Sequence, residues 1–120
     1  MRVITDFEID FPTPSGNRYA RMHWAAKRRL KKAFILHSRI GASGARRCPA
    51  GEHRCVTIER HGSRLLDPDN LAWGAKPLLD ALVVVDLLED DSPKHATVVY
   101  AQKKSTRKDE HMRILVEVVK

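Results

Sequence analysis

Leu66-Asp67-Pro68-Asp69-Asn70-Leu71 is where an extended stretch passes into a helical one, and its chemistry continues through Lys76 and Asp80 to Glu89-Asp90-Asp91. Two tight carboxylate clusters thus lie about twenty residues apart in a chain of formal net charge +7. Clustered acids repel one another, at a cost that grows as the local dielectric falls. A fold keeps such a cluster half-buried where a cation or a proton compensates it. The basic remainder of the surface suits a polyanion. Together the two features point to a divalent-metal site set in a phosphate-binding surface, which is the equipment of a nuclease.

Within the first cluster, Pro68 pushes Asp67 toward extended geometry. In an extended chain residues i and i+2 share a side, roughly 6.5–7 Å apart. Asp67 and Asp69 so placed can share a hard cation such as Mg²⁺, which takes oxygen ligands at about 2.1 Å. The other reading of the same string is a turn at Asp67-Pro68 with Asp69 or Asn70 capping the helix that follows. The second acidic cluster and the basic background favour the metal site.

The 120 residues predict a single domain with a modest core. Hydrophobic content of 42% beside 31% charged residues fits a folded globular chain. No apolar run approaches the roughly 18–20 residues of a membrane span. Met1-Arg2-Val3-Ile4-Thr5-Asp6 lacks the apolar core of a signal peptide, so the expected compartment is the cytoplasm. A pI near 9.8 calls for an anionic partner, most simply nucleic acid. Cys48 and Cys55 read as free thiols in a reducing compartment, and C-x₄-H-x-C with His53 lacks the paired C-x₂-C form of a zinc site.

Asp6-Phe7-Glu8-Ile9-Asp10-Phe11 alternates acid with apolar and predicts a half-buried strand. Residues Ala25 to Ile40 read as a helix with Leu30, Phe34, His37 and Ile40 toward the core and Gly41 as its cap. Residues 41–53 read as a flexible basic loop, and Arg54 to Arg60 as a second strand with Val56 and Ile58 on one side. A second helical stretch over about Leu71 to Val85 is expected to kink at Gly74 and Pro77. His95 to Lys103 and Met112 to Val119 read as an antiparallel pair joined by the polar segment 104–110. The order β-α-β-α-β-β predicts an α+β single domain with two main helices on a mixed or largely antiparallel sheet.

Asp86, Glu89, Asp90 and Asp91 follow the second helix, where the macrodipole prefers cations, so their placement carries a small local cost. Brought beside Asp67 and Asp69, Asp90 or Asp91 would complete a site of three or four carboxylates able to activate water against a phosphodiester. Lys76 reads equally as an ammonium beside the scissile phosphate or as an ion-pair partner of Asp80 at i+4. Arg18 and Arg21, with Lys27, Arg28, Lys31 and Lys32, interleave cations with Tyr19 and Trp24 and suit DNA binding. Trp24 itself reads as a core anchor for the helix start. Lys103, Lys104, Arg107 and Lys108 form a second basic patch on the expected hairpin tip.

These motifs taken together resemble the RusA-type Holliday-junction resolvases, a family common in phages and prophages. The likeness lies in Pro14-Ser15-Gly16-Asn17-Arg18-Tyr19, in Asp67-Pro68-Asp69-Asn70-Leu71, in Lys76 followed by Asp80-Ala81-Leu82, and in Asp90-Asp91-Ser92. It implies a homodimeric, Mg²⁺-dependent endonuclease, with Mn²⁺ as a substitute, that resolves four-way DNA junctions by paired symmetric nicks in recombination and repair. It implies metal-binding roles for Asp67, Asp69 and Asp91 with Asp90 adjacent, and a catalytic role for Lys76. Asp67, Asp69, Asp91 and Lys76 then form the catalytic set, and Lys76 also contacts DNA.

The chain departs from the family's usual form in one respect: Ala72-Trp73-Gly74-Ala75 stand between Leu71 and Lys76, where a single residue is usual. Three extra residues in one continuous helix add about 300° and ~4.5 Å, returning Lys76 near the expected face one turn further on. The other readings are a DNA- or junction-binding module without catalysis, whose acids serve as caps and surface charge, and a nuclease of the same fold acting on flaps, nicked duplex or RNA.

Overall fold

The computed structural model describes residues 1–119. Strand β1 (Arg2–Ile9) leads through a loop to the short helix α1 (Gly16–Arg21) and the long helix α2 (Trp24–Gly41). Strand β2 (Arg54–Gly62) follows, then helices α3 (Pro68–Gly74) and α4 (Lys76–Val84), and finally strands β3 (Ala96–Lys104) and β4 (His111–Val118). The result is an α+β domain on one mixed four-stranded sheet of order β1-β4-β2-β3. No helix among the described residues is long and apolar enough to cross a membrane.

Alternation builds the sheet's inner face. Phe7 and Ile9 of β1, Val56 and Ile58 of β2, and Met112, Ile114, Val116 and Val118 of β4 are buried. Each such burial contributes about 1.5–3 kcal/mol relative to exposure. Phe34 of α2 and Leu78, Leu79 and Leu82 of α4 join them in one cluster. Phe34 and Ser38 are the buried residues of α2, with Leu30 packed beside them, whereas Ile40 is 65% exposed. The buried stripe therefore follows i, i+4, i+8 from Leu30 and leaves Ile40 outside it. Gly41 is still helical, with Ala42 as the cap residue. Its role is space: a Cβ there would lie 2.4 Å from Cδ2 of Phe7.

The last two strands do not form the expected hairpin. Strand β2 lies between them, pairing parallel with β3 and antiparallel with β4. Segment 105–110 carries the chain across the end of β2, with a single 3-10 turn at Arg107–Asp109. Because parallel neighbours need a crossover, α3 and α4 form the bridge from β2 to the sheet's edge at β3. The expected kinked helix is two helices that meet at Ala75, and the first begins at Pro68. Proline at N1 is preorganised for a helix start, which extends α3 ahead of Leu71. Trp24 is 67% exposed and anchors no core.

Two arginines on the inner face of β2 are buried, which the strand's alternation did not announce. Arg54 donates from Nε to Glu52, from Nη1 to the carbonyls of Arg46 and Leu87, and from Nη2 to the carbonyl of Arg47. The loop of residues 42–53 is thus tied to the end of the α4 region through one guanidinium. Arg60 donates from Nε to the Thr13 carbonyl at 2.8 Å and from Nη1 to the Arg64 carbonyl at 3.0 Å.

Candidate active site

Asp67 is the N-cap of α3, in the extended conformation that Pro68 imposes. Its Oδ1 accepts from the Asn70 backbone N–H at 2.9 Å and its Oδ2 from the Asn70 amide at 2.8 Å. The Asn70 hydrogen bonds hold the Asp67 carboxyl below its ordinary value. Asp69 already sits in the first helical turn. The two acids are therefore not i and i+2 of an extended segment, and they do not share a face in that way.

Segment 66–74 is held from two sides. Gln102 on β3 clasps Leu66 through both of that residue's backbone polar groups. On the other side α1 packs against α3, with the Asn17 N–H donating to Asn70 Oδ1 at 2.9 Å. The contact is close: a Cβ on Gly74 would lie 1.8 Å from the Pro14 carbonyl oxygen, and one on Gly16 2.8 Å from Cβ of Trp73. The proline-to-asparagine segment near residue 14 and the acidic motif near residue 67 are thus one packed unit.

Beyond α3 an open cleft of about 570 Å³ is lined by Asp69, Trp73, Lys76, Asp91, Val98 and Tyr100, with Ala72 and Leu79. Asp69 comes from α3, Lys76 from the start of α4, Asp91 from the loop after α4, and Tyr100 from β3. Helix α3 ends at Gly74, so the continuous-helix geometry expected for Lys76 does not hold. The break at Ala75 starts a new helix whose first residue is Lys76. Lys76 Nζ donates to Asp91 Oδ2 and lies 3.2 Å from Asp80 Oδ1. The Asp91 hydrogen bond, with Asp80 assisting, raises the Lys76 pKa against the opposing effect of burial. At neutral pH Lys76 is a fixed cation and cannot act as a base.

Tyr100 and Trp73 belong to the cleft although the motifs do not mark them. Burial raises the Tyr100 hydroxyl, the Asp91 charge adds to the rise and Lys76 opposes it. Val98, Tyr100 and Gln102 alternate along β3 and so share a face. That period-2 relation was the available signal, once β3 was known to be an edge strand beside α3. Trp73 is 60% exposed at the cleft mouth. Asp90 is exposed and does not line the cleft; the Asp91 backbone N–H lowers its pKa most. Asp67 lies on a neighbouring shallow depression that shares Asp69 and Trp73 with the cleft.

Among the expected DNA-binding residues, Arg18, Arg21, Arg28, Lys31 and Lys32 are exposed, as are Lys76, Lys103, Lys104, Arg107 and Lys108. Lys27 is half-buried, its Nζ 5.0 Å from the centre of the Tyr19 ring. Lys103 and Lys104 end β3 opposite His61 and Gly62, so this patch belongs to the crossing segment and not to a hairpin tip.

No family model matches the chain, and no curated protein matches it.

Proposed function

We propose that the chain is a Mg²⁺-dependent, structure-specific DNA endonuclease that resolves four-way junctions as a homodimer by paired symmetric nicks. The observation that carries this reading is the meeting of Asp69, Lys76 and Asp91, from three separate segments, in one open cleft. Only carboxylates and a phenol offer oxygen there, and no thiol or imidazole lines the cleft, so the donor set is hard. Among the described residues no three His, Cys, Asp or Glu side chains form a ready metal shell. Mg²⁺ suits such a site, because it keeps several waters and is commonly held by one or two carboxylates.

Asp69 and Asp91 would hold the ion, with Asp67 and Asp90 at the margin, and Mn²⁺ would fit the same oxygens. When bound, the ion supplies Lewis acidity at the phosphate and eases deprotonation of the attacking water. Lys76 pairs with Asp80 and Asp91 at close range and places a permanent positive charge where a phosphate would enter. Arg18, Arg21 and the exposed cations of α2 would take flanking phosphates, fixing register without reading sequence.

The test is incubation of the purified protein with a synthetic four-way junction and a matched linear duplex, with and without Mg²⁺. Symmetric nicks in the junction alone, only with Mg²⁺, are the expected result. Junction binding with no cleavage would assign the chain to non-catalytic binding modules. Preferential cutting of flaps, nicked duplex or RNA would reassign the substrate.

A further inference from the structure

A second cavity, of about 610 Å³, lies beside the α1–α3 contact and shares only Arg18 with the groups named above. That volume falls within the range of small-ligand sites. Part of its wall is cationic, made by Arg18, Arg60 and Arg64, and part is apolar, made by Phe11, Met22 and Leu30.

Arg60 is 8% exposed, and its Nε and Nη1 are spent on the Thr13 and Arg64 carbonyls. Among the described residues its Nη2 takes no protein partner. A Cβ on Gly62 would lie 2.2 Å from Nη1, so the guanidinium occupies room that glycine leaves. Glu110 is the one carboxylate on the wall, and its Oε2 accepts from the Ser63 N–H at 2.8 Å and hydroxyl at 3.1 Å. Three guanidinium groups less one carboxylate leave the pocket at a formal charge of two positive. The apolar wall is firm: the Phe11 ring sits 5.1 Å from Phe34 and edge-on 5.2 Å from His37.

Guanidinium forks, of which Arg60's is held in place, match phosphate oxygens, and an apolar surface matches a base. Chain neighbours link the cavity's wall to the acid cleft by way of the shallow depression. Ser15 and Leu66 line the cavity, the next residues Gly16 and Asp67 line the shallow depression, and Asp69 and Trp73 are shared by that depression and the cleft.

We propose that this pocket takes one nucleotide of a DNA strand, with its phosphate on Arg18, Arg60 and Arg64 and its base against Phe11, Met22 and Leu30. The course of that strand onward to Asp69 rests on the nuclease reading; occupancy of the pocket does not require the metal.

The experiment follows the Met22 methyl and Arg60 Nε–H resonances by NMR in EDTA, titrating inorganic phosphate, dAMP and a tetranucleotide in separate arms. With three methionines in the chain, the Met22 methyl is readily assigned. The tetranucleotide should shift both resonances, inorganic phosphate only Arg60, and Arg64→Ala should weaken the tetranucleotide about tenfold. The Arg64 side chain is exposed, and the substitution keeps the carbonyl that Arg60 uses. No Met22 shift with either nucleotide, or unchanged affinity in Arg64→Ala, overturns the pocket. A dAMP affinity equal to the tetranucleotide's makes it a free-nucleotide site and overturns the strand assignment. Shifts in EDTA from a protein that cuts nothing in Mg²⁺ remove the nuclease reading and leave the pocket standing.

Discussion

Gln102 holds Leu66 at both ends of one residue: its Oε1 accepts from the Leu66 N–H at 2.9 Å and its Nε2 donates to the Leu66 carbonyl at 2.6 Å. A single side chain on the edge strand thereby continues the sheet's hydrogen bonding into the residue that precedes the Asp67 cap. Removing it in Gln102→Ala leaves two part-buried backbone groups without this partner. A loss of about 1–3 kcal/mol is expected in urea unfolding. Cleavage should fall further than stability alone explains, because the acids of α3 hang from this anchor.

Asp69→Asn separates fold from chemistry. The amide keeps the shape of the side chain and loses the ligand charge. Melting temperature and junction affinity should stay near wild type while nicking disappears. Nicking at the wild-type rate would end the assignment of Asp69 as a metal ligand.

Gly74→Ala drives a methyl group into the Pro14 carbonyl and must separate α1 from α3. A destabilisation of about 1–3 kcal/mol or more is expected by denaturant titration, as for other overpacked sites. A neutral outcome would mean the α1–α3 contact yields easily.

Lys31 and Lys32 are exposed on α2 and belong to no ion pair among the described residues. If they contact phosphates, the double change to Ala should weaken junction binding and flatten the log–log salt slope by roughly one unit per lost contact. Fluorescence anisotropy at several salt concentrations reads this directly. An unchanged slope transfers the grip to Arg18, Arg21 or the cations of segment 103–108.

Glu52 sets an acid limit on stability. Its hydrogen bond from Arg46, with that from Arg54, holds its carboxyl below the ordinary value of 4.5. A depressed folded pKa contributes stability that is complete above the unfolded value and is lost as pH falls through the folded one. Urea midpoints should therefore drop below about pH 4.5. The curve for Glu52→Gln should be flatter there than the wild-type curve.

The strands were legible because a period-2 pattern is local: Met112, Ile114, Val116 and Val118 declare their face without reference to the rest of the chain. Sheet order was not legible, because nearness in sequence suggests a hairpin and says nothing of β2 entering between β3 and β4. Arg54 and Arg60 escaped notice for another reason. Their partners are mostly backbone carbonyls, which every residue possesses and no pattern marks. In the cleft, residue spacing collected Asp69, Lys76 and Asp91. Gly74 and Pro77 also marked the break that falls at Ala75, but nothing local showed that Asp67 satisfies a helix end or that Tyr100 lines the cleft.

Strand β4 follows every other element in this sequence, yet it occupies an inner position between β1 and β2. During synthesis, then, the sheet waits for this strand. Strand β1 has no neighbour, β2 presents one open edge, and the inner face lacks Met112, Ile114, Val116 and Val118 until residues 111–118 have left the ribosome. A vectorially emerging chain of this topology can pair β2 with β3 but cannot join β1 to them. Its native sheet closes in one late event, and the exposed edges before that moment are the surface a chaperone would shield.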